Sequence, residues 1–298
     1  VNAYALLYAT LALFGSRVRA PLAVTWHTTL VQGVKERLKM LYYRPFFWNA
    51  DCLVFVCDAQ RRYWLARGVS ARSNKVIHNG VDARHWAPFS LEERRRLRGA
   101  LGFADGDYVI GISAVMRPEK NHLELVKALA LLRRRGIGAR ALMIGDGPMR
   151  AAVEERARRL GIAASVTITG LQQHVRPFLG ACDAVALTSR TEALSLAAIE
   201  AMSLGKPVVH SDVGGAAEMI LPGHNGFLYP PGDTAALVER LSLLAQPAAR
   251  ERMGEQARRT VEGQFTEVAM VDRYEQLLLD LEMERIRHAN VRRTARAH

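Results

Sequence analysis

From about residue 106 onward, short apolar runs alternate with longer segments of helical period. Tyr108–Ala114, Ala139–Ile144, Ser165–Thr169, Asp183–Thr188, Pro207–Ser211 and Gly226–Tyr229 read as strands. Between and after them, Leu123–Arg135, Met149–Leu160, a stretch around Val175–Leu179, Ala193–Leu204, Ala216–Ile220 and Thr234–Ala245 read as helices. This alternation predicts βαβ units and a mostly parallel sheet covered on both faces. The front of the chain is less regular. Ala3–Phe14 is an apolar helix, too short to span a bilayer. Leu22–Trp26, Asp51–Cys57 and Lys75–His78 read as strands and Lys35–Phe47 as partly helical, with Asp58 as the cap of a helix that Gly68 ends. Residues 83–107, rich in Arg, Glu and Gly, carry little core, so a domain boundary is expected there. Phe265–Leu281 is amphipathic and is expected to pack back on the first domain. The expected organisation is a partial N-terminal domain over 1–105, a second domain over 106–264, and a returning helix with a basic tail over 265–298.

The length, 298 residues, suits two domains. Lys and Arg number 41 against 29 Asp and Glu, a net charge of +12. Such a surplus suits nucleic acid, an anionic membrane surface or a phosphorylated substrate. Much of it lies in helical Arg runs and in the tail after Arg285, with no zinc-finger pattern and no aromatic–basic platform, so no nucleic-acid partner is expected. Cys52, Cys57 and Cys182 form no CxxC pair, which argues against a disulfide framework or a cysteine zinc site and favours a reducing compartment. The chain has no HExxH, no GxxxxGK[ST], no GxGxxG and no GxSxG, and Asp51, Asp58, Asp82 and Asp183 form no DxD pair. Zinc hydrolase, P-loop, nicotinamide-dependent and α/β-hydrolase chemistry therefore lose support.

Open parallel sheets bind ligands beyond the carboxyl ends of their strands, which selects a few polar and Gly-containing segments. Arg117 and Lys120 follow the first strand of the second domain and stand at the entrance of the next helix. Two cations beside free helix N–H groups suit a diphosphate; a solvated basic turn explains them equally. Gly145-Asp146-Gly147-Pro148 follows a strand, and its glycines permit close backbone approach, although strand-to-helix turns use Gly in any case. Glu192 and Glu200 lie eight residues apart, the first in a loop and the second well inside a helix. A carboxylate among apolar neighbours needs partners: a sugar's hydroxyl pair is one, solvent or Lys206 the alternative. Gly214-Gly215 can present amides to a phosphate. His27 ends a strand of the first domain and is open to a structural or a functional role across an interdomain cleft. No metal site is expected, so positive side chains would have to hold any diphosphate.

In this order the segments Lys75–Asp82, Arg117-Pro118-Glu119-Lys120-Asn121, Gly145–Pro148, Glu192 to Glu200, Glu200–Val209, Gly214–Glu218 and Asn225–Asp233 resemble the retaining glycosyltransferases of family 4, over nearly the whole chain from His27 to Tyr274. The resemblance implies an α/β fold of GT-B type, two Rossmann-like domains facing across a cleft, the first apparently truncated at its N-terminus. It implies a cytoplasmic, metal-independent enzyme that moves a sugar from a UDP- or GDP-linked donor to a hydroxyl acceptor, lipid-linked or saccharide, in bacterial polysaccharide or glycolipid biosynthesis. No further cofactor is implied. Arg117 and Lys120 would grip the diphosphate, Glu200 the ribose and Glu192 the transferred sugar. Gly145, Asp146, Gly147, Gly214 and Gly215 would line the donor, and His27 would stand near the reacting centre. Peripheral contact with an anionic inner membrane face is a further implication. A non-catalytic nucleotide-sugar-binding module, or an epimerase or phosphorylase of the same architecture, are the alternatives. Two features depart from the family pattern. Residue 193 is Ala where Gly is common, and nothing before His27 supplies the usual Gly-rich loop.

Overall fold

The computed structural model describes residues 3–15, 20–27 and 33–294; Thr28, Thr29 and the last four residues of the basic tail lie outside the described residues. The chain divides into two compact units, residues 1–79 with 267–298, and residues 80–266.

The first unit contains α1 (Ala3–Gly15), β1 (Ala23–Trp26), α2 (Gly33–Trp48), β2 (Cys52–Phe55), α3 (Asp58–Leu65) and β3 (Ser73–Val76). The strands form a parallel sheet in the order β1-β2-β3. β2 is buried along its whole length, as a continuous apolar run predicts. Trp26, Phe47 and Trp64 meet edge to face, with ring centroids 5.0 and 5.6 Å apart, and anchor the core on one side of the sheet. Cys57, not Asp58, caps α3: its backbone is extended and its Sγ accepts the Gln60 N–H at 3.4 Å. Asp58 falls inside the first turn, where a carboxylate favours the helix dipole, and pairs with Arg61 and Arg62.

The second unit runs α4 (Leu91–Ala100), β4 (Tyr108–Ser113), α5 (His122–Arg134), β5 (Ala139–Ile144), α6 (Arg150–Arg159), β6 (Val166–Ile168), α7 (Arg176–Ala181), β7 (Ala184–Leu187), α8 (Leu196–Ser203), β8 (Val208–Ser211), α9 (Ala216–Met219), β9 (Gly226–Tyr229), α10 (Thr234–Leu243) and α11 (Pro247–Gln264). Its six strands are all parallel, in the order β6-β5-β4-β7-β8-β9. The chain winds outward from β4 through β5 to β6, then returns to β7 and winds the other way. The gap between β4 and β7 is thus the switch point of a doubly wound sheet, where loops leaving adjacent strands diverge. α12 (Glu267–Thr294) belongs to the first unit, where Leu277 and Leu281 pack on Cys52, Val54 and Ile77. It runs thirteen residues past the expected end at Leu281.

Two helices depart from the expectation. α4 has few apolar positions, but Ser90 and Glu93 form a reciprocal capping box, and α4 packs against α7. It carries residues 80–105 into the second unit, so the division falls at Asn79/Gly80. α11 buries only Met253, Gly254, Ala257 and Val261, a narrow stripe of small contacts. Asp183, just before β7, ties α4 to the sheet. Its carboxylate takes Arg94 at 2.6 Å, Arg98 at 3.1 Å and the Val109 N–H at 2.7 Å, which hold it below the usual carboxylate range despite burial.

Candidate functional site

The carboxyl ends of β4 and β7 bring the polar segments together. After β4 the chain makes a tight turn. A 3-10 turn at Pro118–Lys120 leads into Asn121, whose left-handed backbone (φ 51°) opens α5. After β7 the chain passes Thr188, Ser189 and Glu192 before Ser195 caps α8. The two loops are joined directly. The Lys120 Nζ donates to Glu192 Oε2 at 2.6 Å, the Arg190 N–H to the Glu119 carbonyl at 2.7 Å, and the Thr188 hydroxyl to the carbonyls of Lys120 and Asn121 at 2.9 and 3.1 Å. The expected cation and the expected sugar-binding carboxylate therefore meet as an ion pair at the switch point. Arg117 is exposed, and no partner for its guanidinium is present among the described residues.

Gly145, Asp146 and Gly147 have a scaffolding role in this arrangement. A Cβ on Gly145 would run into the Ala114 carbonyl, and one on Gly147 would lie 2.7 Å from the Met116 carbonyl. The two loops exchange backbone bonds, Met116 N–H to Asp146 O at 2.8 Å and Met149 N–H to Met116 O at 2.9 Å. The glycines thus let the loop after β5 support the segment that carries Arg117. The Asp146 side chain accepts its neighbour's Gly147 N–H and pairs with Arg150 at 2.8 Å.

Gly214 (φ 58°) fits only without a Cβ, which would strike the Glu192 carbonyl. The Gly215 N–H donates to Ala193 O at 2.7 Å, so that amide is not available to a phosphate, contrary to expectation. The Gly214 N–H has no acceptor among the described residues. These contacts seat the Gly214-Gly215 turn against the Glu192 loop rather than leaving it as a separate anion nest.

Glu200 sits mid-way along α8, half-buried, with no hydrogen bond or ion pair to its carboxylate among the described residues. Burial pushes it up to about 7. The alternative partner, Lys206, forms no ion pair with it among the described residues. Lys206 lies half-buried near Asp183, Arg94 and Arg98, and burial and those guanidinium groups push it down to about 8. His27 follows β1 in the first unit and is exposed. Among the described residues no cluster of three or more His, Cys, Asp or Glu could hold a metal ion, and no helix is long and apolar enough to cross a membrane. An apolar groove between α2 and α3 belongs to the first unit and contains none of the candidate residues.

Three residues near the ion pair were not singled out by sequence. Thr188 binds the Lys120 turn. Glu124, on α5, is 4% exposed and lies beside the Tyr229 hydroxyl. His210, at the end of β8, is fully buried, with Nδ1 2.6 Å from the Ser211 carbonyl, and feels the charges of Glu192 and Lys120; burial holds its imidazole below the usual range. The available signal was a polar residue inside an apolar run: Glu124 in His122-Leu-Glu-Leu-Val and His210 in Val208-Val-His.

The chain is 28% identical to N-acetyl-alpha-D-glucosaminyl L-malate synthase of Bacillus anthracis over 70% of its own length and 54% of the synthase. It is 32% identical to a GDP-mannose-dependent alpha-(1-6)-phosphatidylinositol monomannoside mannosyltransferase of Mycolicibacterium smegmatis over 69% of the chain and 56% of that enzyme. The chain thus spans little more than half the length of these curated relatives. The crystal structure of Anabaena HepE in complex with UDP superposes with a TM-score of 0.85 at 25% identity, covering 94% of this chain and 77% of that one. Residues 1–80 match the model of a glycosyl transferase 4-like domain. Residues 93–260, more than half of the chain, match the model of glycosyl transferases group 1, and with its two Rossmann-like α/β units of GT-B type the chain belongs to that family.

Proposed function

We propose that the second unit binds a nucleoside diphosphate sugar and that the chain is the donor-binding part of a retaining glycosyltransferase. The observation that carries this is the Lys120–Glu192 pair at the β4/β7 switch point, with the unpaired Arg117 one turn away. A diphosphate arriving there offers Lys120 and Arg117 a doubly charged partner in place of one carboxylate. Glu192 is then released to accept hydrogen bonds from the sugar's hydroxyls. Glu200, whose carboxylate has no partner among the described residues, would accept from the ribose hydroxyl pair, and the Gly214 N–H, which has no acceptor among them, would donate toward the sugar or phosphate. When the anomeric C–O bond breaks, negative charge grows on the leaving diphosphate, and Arg117 and Lys120 stabilise it. The acceptor oxygen attacks the anomeric carbon on the face the diphosphate leaves, and its proton passes to a phosphate oxygen, which retains configuration. His27 would contribute near the sugar.

UDP bound to HepE and the GDP-mannose dependence of the mannosyltransferase support donors of these two types. The acceptor is proposed to be a saccharide or a lipid-linked sugar. Exposed Leu38 and Leu41 on α2, which line the apolar groove together with Arg44 and Arg67, support peripheral contact with an anionic membrane, which sedimentation with anionic vesicles at two salt concentrations tests. The central experiment is calorimetric titration with UDP and GDP followed by product analysis with their sugar conjugates. The proposal expects binding that Arg117→Ala and Lys120→Ala each weaken about tenfold or more. Unchanged binding in both variants overturns it. Donor binding without transfer to any acceptor favours a non-catalytic module, a reading that the partial coverage of the relatives keeps in play.

A further inference from the structure

We propose that Glu124 is a positioning residue for Lys120, acting through Asn121; this rests on the donor-site reading above. Asn121 is the only non-glycine residue with positive φ among the described residues. That conformation is uphill for a residue with a Cβ and persists where surroundings impose it. The Asn121 side chain does not cap α5, as Asn at such a position usually does. Its Nδ2 instead donates to Glu124 Oε2 at 2.6 Å, while the Glu124 N–H returns to the Asn121 carbonyl at 2.9 Å.

Glu124 is an expensive choice at its place. It is almost fully buried on α5, whose other buried positions after His122 are all apolar, beside Tyr229, and burial pushes its carboxyl above the usual range against the pull of Tyr229, Arg190, Lys127 and Asn121. An apolar residue there would avoid that cost. What Glu124 alone supplies is the grip on Asn121. The Thr188 hydroxyl holds the carbonyls of Lys120 and Asn121 from the β7 side. The root of a long, flexible lysine is thereby fixed from two elements, and its ammonium is delivered to the switch point rather than to solvent.

Titration of the full chain with UDP and with uridine, which lacks the phosphates, tests this. Lys120→Ala is expected to weaken UDP about tenfold or more and to leave uridine unchanged. Glu124→Ala is expected to weaken UDP roughly three- to tenfold, again without touching uridine. Glu124→Gln, whose amide can still accept from Asn121 and donate to Tyr229, should stay within about twofold of the wild type. The Glu124→Ala/Lys120→Ala double variant should bind UDP no more weakly than Lys120→Ala alone, because both act through one ammonium. Asn121→Gly keeps the left-handed backbone accessible but loses the amide, and should show the same UDP-selective loss even if Glu124→Ala does not fold. Unchanged UDP affinity in Asn121→Gly, additive losses in the double variant, or equal weakening of uridine overturns the proposal. Unaltered UDP affinity in Lys120→Ala overturns the positioning proposal, and unaltered affinity in both Lys120→Ala and Arg117→Ala overturns the donor-site reading itself.

Discussion

Glu200→Gln should make the protein more stable and a poorer donor binder at the same time. The Glu200 carboxyl is displaced from the ordinary 4.5 to about 7, and burial is the cause. Its folded-state value lies above its unfolded value. Below about pH 4.5 both states hold the proton and there is no penalty. Between about 4.5 and 7 the unfolded chain releases the proton first, so stability falls as pH rises. Above 7 the whole penalty is present. A displacement of about 2.5 units corresponds to a ceiling of about 3.4 kcal/mol, and partial solvent contact reduces it to roughly 1–3 kcal/mol. Glutamine keeps the shape without the charge. Thermal unfolding at pH 8 should therefore show Glu200→Gln more stable by roughly 3–8 °C, and the difference should vanish near pH 4.5. The same variant should bind UDP about tenfold more weakly, since a carboxylate accepting two hydroxyls loses one good acceptor. In the wild type, UDP affinity should fall as pH drops through 7, where the carboxyl gains its proton. A variant less stable than the wild type at pH 8, or a difference independent of pH, would mean that Glu200 has a structural partner and would refute the reasoning.

Lys206 is depressed from 10.5 to about 8 by burial and nearby guanidinium groups, so its charge costs stability below about pH 8, and the cost fades as pH climbs toward 10.5. Lys206→Met should raise the unfolding midpoint at pH 7 by an amount that shrinks in buffers above pH 9. Asp183→Ala strands the buried Arg98 guanidinium and should destabilise the second unit by about 3–5 kcal/mol in urea titration. Gly147→Ala forces a Cβ within 3 Å of the Met116 backbone at φ 153°; it should cost about 2 kcal/mol or more and weaken UDP through the displaced Arg117 segment.

The mostly parallel sheet of the second unit was legible in the alternation of apolar runs and helical segments. Apolar-rich strands such as Ala139–Ile144, interrupted only by the half-buried Arg140, and Gly226–Tyr229 keep their expected bounds to the residue, because a strand covered on both faces is mostly apolar. The sequence also marked the loops that the proposed donor site uses, since Arg117, Lys120, Glu192 and Glu200 all follow the two strands at the switch point. Helices α4 and α11 were not legible: one is held by a capping box and by Arg98 on Asp183, the other by a stripe of small side chains, and neither shows a broad apolar face. Roles within the site were decided only by tertiary structure. Lys120 pairs with Glu192, which lies 72 residues further along the chain, because β7 inserts beside β4. The Gly215 amide is consumed by Ala193, and Glu200 is left without Lys206, because a residue's partners depend on which loops the fold packs together. Local pattern encodes burial and period; a hydrogen-bond partner distant in sequence leaves no periodic trace.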